Sequence, residues 1–193
     1  TMVSLIVYVT PLLLYALVVH RKEGIEGRKI AKRLGLTSGS KPYYAWAMVL
    51  AFLGMLVARR AWQSIPASTS EQPQMAISHF AGQSLSFGRI LSAVWWGMFE
   101  TGLGEELLFR GLIAGWLGRR FQFWTANILQ ALVFTLPHTL ILLVDIRLWP
   151  LAIGLPFSFG LISGWLRLKS GSVFPGWLVH GLNNVATAIA SMH

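Results

Sequence analysis

Apolar positions in this chain fall in long unbroken runs, not in the alternation of a surface strand or the one-sided stripe of a soluble helix. A run of about 20 such residues is what a helix needs to cross the hydrocarbon of a bilayer. Residues 2–19, MVSLIVYVTPLLLYALVV, form the first run, with Pro11 as a tolerated kink. No basic start and no small-residue cleavage site is visible, so the run reads as a span and not as a signal peptide. Further spans are expected at 43–61, 123–144 with Pro137 inside, 148–166 and 173–190. The stretch 89–117 is about 29 residues, long for a perpendicular crossing, and must tilt, break or divide near Gly102 and Gly104. Residues 62–88 are rich in Ser, Gln, Pro and Gly and read as an external loop that partly lies on the membrane surface. The pattern predicts an all-α polytopic membrane bundle of about six spans. Seven or eight result if the long third stretch and the 62–88 loop each add a segment. No tandem repeat interrupts it, so residues 1–193 are expected to form one domain.

Composition agrees with this reading. Of 193 residues, 54% are hydrophobic and 12% charged, with a mean hydropathy of +0.58; soluble domains carry about 25% charged residues. The net charge of +9 would suit nucleic acid, but the basic residues cluster at the ends of apolar runs, as orienting charges do, so no nucleic-acid partner is expected. Arg21, Lys22, Arg28, Lys29, Lys32, Arg33 and Lys41 mark the first loop as cytoplasmic, as do Arg119, Arg120, Arg167 and Lys169 further on. Both termini then lie outside, as in a bacterial or archaeal plasma membrane, with the bilayer as the constant partner. Arg59 and Arg60 run against this bias. Trp62, Trp149, Trp165 and Trp177 fall near span ends, as an interfacial belt requires. Gly111/Gly115 and Gly160/Gly164 are spaced for close helix packing. The absence of Cys excludes disulfides, thiolate zinc sites and a cysteine nucleophile.

Against this apolar background the segment ETGLGEELLFRGLIAG, residues 100–115, stands out. An ionised group costs at least about 2.5–3.5 kcal/mol at the centre of a membrane helix, so Glu105, Glu106 and Arg110 need a reason to be there. Glu106 and Arg110 are spaced i,i+4 with the acid first, the favourable order for a pair on one helix face. Glu105 points about a quarter turn away, free to face a different cavity. On other spans, His180 and Asn184 share a face, and Phe134 lies one turn before His138. At a rise of about 1.5 Å per residue, Glu105, His138, His180 and Asn184 all fall roughly 10–23 Å from the inner end of their helices. Three helices therefore deliver polar groups to one depth, as a buried site requires. Each pair alone also has a structural reading: an ion pair, a histidine bonded to a carbonyl beside Pro137, interhelical glue. Glu100, His20, His79 and His193 read as span-end, loop or terminal residues.

As patterns, the three stretches are EExxxR, FxxxH and HxxxN, in that order on separate spans, and the region that holds them covers 89–191. This resembles the CAAX prenyl endopeptidase family of intramembrane proteases, also called the CPBP or ABI family, which includes bacteriocin-processing and immunity-associated relatives. The resemblance implies a peptide-bond hydrolase buried in a helical bundle. On the family pattern Glu105 is the general base that activates a water and His138 binds or polarises that water. His180 and Asn184 stabilise the oxyanion, and Glu106 with Arg110 holds the site together. Members are described both as metalloproteases and as metal-free glutamic proteases; the metal-free form is the expectation, with no cofactor, and zinc held by two histidines and a glutamate is the alternative. Aspartyl chemistry needs two aspartates, and Asp145 is the only one. A serine mechanism would have to rest on Ser163 with His180. The expected substrate is a membrane-anchored protein or peptide tail. The competing reading is a non-enzymatic immunity or partner-binding membrane protein on the same fold.

Overall fold

The computed structural model describes residues 2–63, 65 and 76–192, and among them every regular element is helical. The order is α1 (Met2–Glu23), a short α2 (Gly27–Arg33), α3 (Pro42–Gln63), a long helix α4 over 87–117, α5 (Phe123–His138), α6 (Leu155–Ser170) and α7 (Phe174–Ser191). Short 3-10 turns lie at Ala76–His79, Thr139–Leu143 and Ile146–Leu148. Among the described residues four segments are long and apolar enough to cross a membrane: Leu5–Glu23, Pro42–Ala61, Phe123–Leu143 and Ile146–Ser170. With α4 and α7 they form a helical membrane bundle. Large apolar side chains such as Leu13, Leu14, Phe52 and Leu56 stand exposed on α1 and α3. In water that much apolar surface would be a liability; against lipid it is the required outer coat.

The local rules that end these helices are readable one by one. Ser86 caps α4 by accepting from the Arg89 backbone N–H at 3.4 Å. Pro137 removes a backbone donor in the last turn of α5, and the chain tightens into a 3-10 turn from Thr139. Gly171, at φ 77°, closes α6 in the left-handed conformation that a C-terminal glycine supplies, and Pro175 opens the first turn of α7.

Of the outcomes its length allowed, the stretch 89–117 neither breaks nor divides at Gly102 and Gly104; it is one helix that widens into two π-helical segments, Trp95–Leu103 and Glu106–Ala114, which meet at Gly104 and Glu105. Three features go beyond or against the sequence expectation. Glu100 is no span-end residue: it is buried inside α4, beside a cavity lined by His79, Phe80 and Trp96. The basic first loop contains α2, whose Ile30 packs with Leu12, Val19 and Leu34. Trp165 and Trp177 work inward: Trp165 packs edge-on against Tyr43 and Trp46, and Trp177 Nε1 donates to the Met98 carbonyl at 2.6 Å. Part of the expected external loop, positions 64 and 66–75, lies outside the described residues, as does the Trp62 side chain.

The core that positions the site is α4 against α7. A Cβ on Gly102 would meet the Gly97 carbonyl and sit 3.1 Å from the Gly181 Cα. A Cβ on Gly97 would lie 2.8 Å from the Val185 backbone N. Only glycine lets the two backbones come this close, and that approach brings His180 and Asn184 over the acidic stretch of α4. The Gly160/Gly164 pair does the same for α6 on α5: Gly160 lies against Ala131, and Gly164 faces the side chains of Asn127 and Gln130. Gln130 Nε2 donates to the Gly160 carbonyl at 2.7 Å and Asn127 Nδ2 to the Leu161 carbonyl at 3.1 Å, fastening the same pair of helices.

Candidate active site

Glu106 and Arg110 are both fully buried and form the expected pair, with Nη1 3.1 Å from Oε1. The N–H bonds are not aimed along that line, so the contact is an ion pair without a directed hydrogen bond. The guanidinium carbon instead lies over Phe134, 4.1 Å from the ring centroid, with Phe159 at 5.2 Å. A Cβ on Gly176 would lie 2.6 Å from Glu106 Oε2, so this glycine of α7 makes the room that the carboxylate occupies.

His180 is where the two carboxylates meet. Its Nδ1 lies 3.2 Å from Glu106 Oε1 and its Nε2 3.8 Å from Glu105 Oε2. A carboxylate engaged by Arg110 is an acceptor, so Nδ1 carries the proton toward Glu106 and Nε2 faces Glu105. Adjacent residues on a helix are expected to diverge, and Glu105 does not look into a separate cavity as the sequence suggested. The widened backbone at this junction and the placement of α7 give both acids the same imidazole. Tyr8, from α1, donates its hydroxyl to Glu105 Oε1 at 3.4 Å. Glu105 Oε2, Glu106 Oε2 and Ser163 Oγ are buried without a hydrogen-bond partner in the protein, and sites of this kind are where internal water binds.

His138 sits at the end of α5 with Nδ1 2.9 Å from the Phe134 carbonyl. A carbonyl only accepts, so Nδ1 donates and the neutral ring keeps its lone pair on Nε2. Phe134 packs on His138 at 4.7 Å between centroids, as the spacing predicted, and edge-on to His180 at 6.0 Å. Glu105 and His180 both lie within charge-interaction range of His138. Asn184 Nδ2 donates to Thr101 Oγ1 at 2.9 Å, and Thr101 in turn donates to the Trp96 carbonyl at 3.0 Å. One amide hydrogen of Asn184 is thereby fixed and the second remains for another acceptor.

His138, His180 and Asn184 line one cavity of about 500 Å³, whose remaining walls are apolar except for Ser158 and Asn183 and include Leu53 and Val57 of α3 and Phe159 of α6. It shares Val57, Leu151, Leu155 and Ser158 with a second cavity of about 1000 Å³ that reaches Arg60, Arg147 and Trp149. The six residues singled out from sequence are thus gathered in one region: Glu105, Glu106 and Arg110 from α4, His138 from α5, His180 and Asn184 from α7. Four contributors went unseen: Tyr8, Thr101, Phe159, whose tilted ring packs on His180 at 4.7 Å, and Gly176. A phenol in the middle of an apolar span was the one available signal for Tyr8. Ser163 has no hydrogen bond to His180, so the serine arrangement is not formed. No group of three or more His, Asp or Glu converges at metal-ligand spacing among the described residues.

No curated protein and no solved structure matches the chain. The sequence model of the type II CAAX prenyl endopeptidases, Rce1-like, matches residues 87–186, just over half of the chain, and that region holds EExxxR, FxxxH and HxxxN complete. On that match, with its motif residues drawn together inside a membrane bundle, the chain belongs to the Rce1-like family of type II CAAX prenyl endopeptidases.

Proposed function

We propose that the chain is an intramembrane endopeptidase of glutamic type that hydrolyses a peptide bond in a membrane-anchored tail. The observation that carries this reading is the 3.8 Å gap between Glu105 Oε2 and His180 Nε2 beside the cavity that His138 lines. That distance is too long for a direct hydrogen bond, and a water set to one side of the pair reaches both atoms at about 2.8 Å. Glu105 takes a proton from this water as its oxygen attacks the scissile carbonyl carbon. His138 Nε2, left as a lone pair, accepts the water's other hydrogen and orients it. The carbonyl oxygen becomes the oxyanion, met by the second amide hydrogen of Asn184 and, with a second proton on the His180 ring beside its two carboxylates, by the Nε2–H of His180. The C–N bond then breaks, and the proton held by Glu105 passes to the leaving amine. Glu106 and Arg110 do not touch substrate in this scheme; they hold His180 in its orientation.

The apolar walls of the cavity favour a lipidated or membrane-embedded chain, which can enter sideways between α3 and α6. The test is incubation of purified protein with candidate membrane-anchored tails, with and without chelator, products being read by mass spectrometry. Cleavage by the wild type that survives chelator and disappears in Glu105→Gln supports the scheme. Cleavage lost on chelation and restored by zinc would move the chemistry to a metal, and undiminished processing by Glu105→Gln would overturn the role of that residue.

A further inference from the structure

Arg147 and Arg167 lie near opposite ends of the segment Ile146–Ser170, about 30 Å apart at helical rise. At the Arg167 end there is a second polar cavity, of about 460 Å³, lined by Lys29, Lys32, Arg33, Arg119 and Arg167 with no acidic residue among its walls. Orienting charge explains exposed lysines on this face, but not what happens at its centre. Arg167 is buried, at 7% exposure; its Nε donates to the Arg110 carbonyl at 3.1 Å and its Nη2 to the Arg33 carbonyl at 2.9 Å. Arg119 Nη1 approaches the same Arg33 carbonyl at 3.4 Å. Two guanidiniums therefore converge on one neutral oxygen. A Cβ on Gly115 would lie 2.8 Å from that oxygen, 3.2 Å from Arg167 Nη2 and 3.6 Å from Arg119 Nη1, so glycine keeps the cradle open. Of the carboxylates near the rim, Glu23 is taken up by Arg33 at 2.8 Å, and Glu26, at the head of α2, is exposed and is not part of the cavity wall.

Like charges held this close with no acidic residue in the cavity wall are costly, and several guanidinium and ammonium donors around a concavity match a phosphate group. We propose that this cavity binds the phosphate of an anionic phospholipid headgroup at the basic face of the bundle. Basic pockets between membrane helices at that level are suited to such headgroups. Through Arg167, the bound phosphate would steady the α4 backbone at Arg110, the partner of Glu106. The binding claim stands on this cavity alone and is read without any substrate.

The test uses the whole chain in nanodiscs of phosphatidylcholine with increasing phosphatidylglycerol, following the thermal midpoint. The wild type is expected to rise by several degrees and to saturate at a low fraction of anionic lipid. Lys29→Gln/Lys32→Gln, two exposed lysines of the wall, should lose at least half of that rise, and Arg119→Gln should do the same. Arg21→Gln/Arg28→Gln removes equal charge from the same face outside the cavity and should keep the rise. Equal losses in the wall and control variants, or a rise that never saturates, would reduce the effect to diffuse surface attraction and overturn the site. An identical rise from inorganic phosphate in purely zwitterionic discs would assign the cavity to a soluble phosphate and overturn the lipid as its ligand.

Discussion

Glu105 and Glu106 are neighbours in sequence with opposite consequences on substitution. Glu106→Gln leaves the fully buried Arg110 without its charge partner, and breaking a buried pair in this way costs about 3–5 kcal/mol. Chemical or thermal unfolding in detergent should show it directly. Glu105 is half-buried, its ring neighbour stands 3.8 Å off, and Glu105→Gln keeps the shape. Its thermal midpoint should stay close to that of the wild type while turnover falls by roughly 10²–10⁴-fold, the range over which a general base contributes. Tyr8→Phe removes one 3.4 Å hydrogen bond to Glu105 and is expected to lower turnover by less than about tenfold, in line with a bond contributing about 1 kcal/mol. The i,i+4 pairs were legible beforehand because helical geometry alone fixes them. The convergence of both acids on one ring was not, since it depends on how α7 lies across α4.

Among the elements, the contact between α4 and α7 matters most. Its glycines leave no space for a side chain, so Gly102→Ala should destabilise by about 1–3 kcal/mol through overpacking and also reduce turnover, because it displaces the helix that carries His180. Gly154→Ala, where a Cβ would meet nothing within 4 Å, serves as the comparison and should change neither. Apolar run length placed α1, α3 and α7 to within a few residues, since a lipid-facing helix writes its extent in composition, but it overran the end of α5 at His138 and began α6 before Leu155, because the apolar chain between them is wound into 3-10 and π-helical turns. The π-helical segments of α4 left no such trace: their i→i+5 hydrogen bonds depend on neighbours that the local sequence does not name. For the same reason Arg119 and Arg167 read only as orienting charge, although the fold makes them neighbours.

The whole molecule has a sidedness that can be measured with little engineering, because the chain contains no cysteine. If both termini lie outside, a cysteine at Ser38, in the basic loop, and one at Ser84, before α4, report opposite faces. In sealed inverted vesicles a membrane-impermeant maleimide should label Ser38→Cys and spare Ser84→Cys, and the reverse pattern would invert the topology. On the expected topology the cavity beside Trp149 opens at the face away from the basic loops, or laterally between α3 and α6. A reader of the sequence could infer the bundle and gather the site residues by depth, yet depth alone says nothing about which wall is open.

The meeting of the two wide segments at Gly104 and Glu105 also fixes a phase relation. Upstream, Gly97 and Gly102 must face α7; downstream, both acids must face the His180 ring that α7 presents. Adding or removing one residue between Gly102 and Glu105 would turn the downstream half by about 100° relative to the glycines. Single-residue indels in that short interval should therefore be far more damaging than most substitutions there.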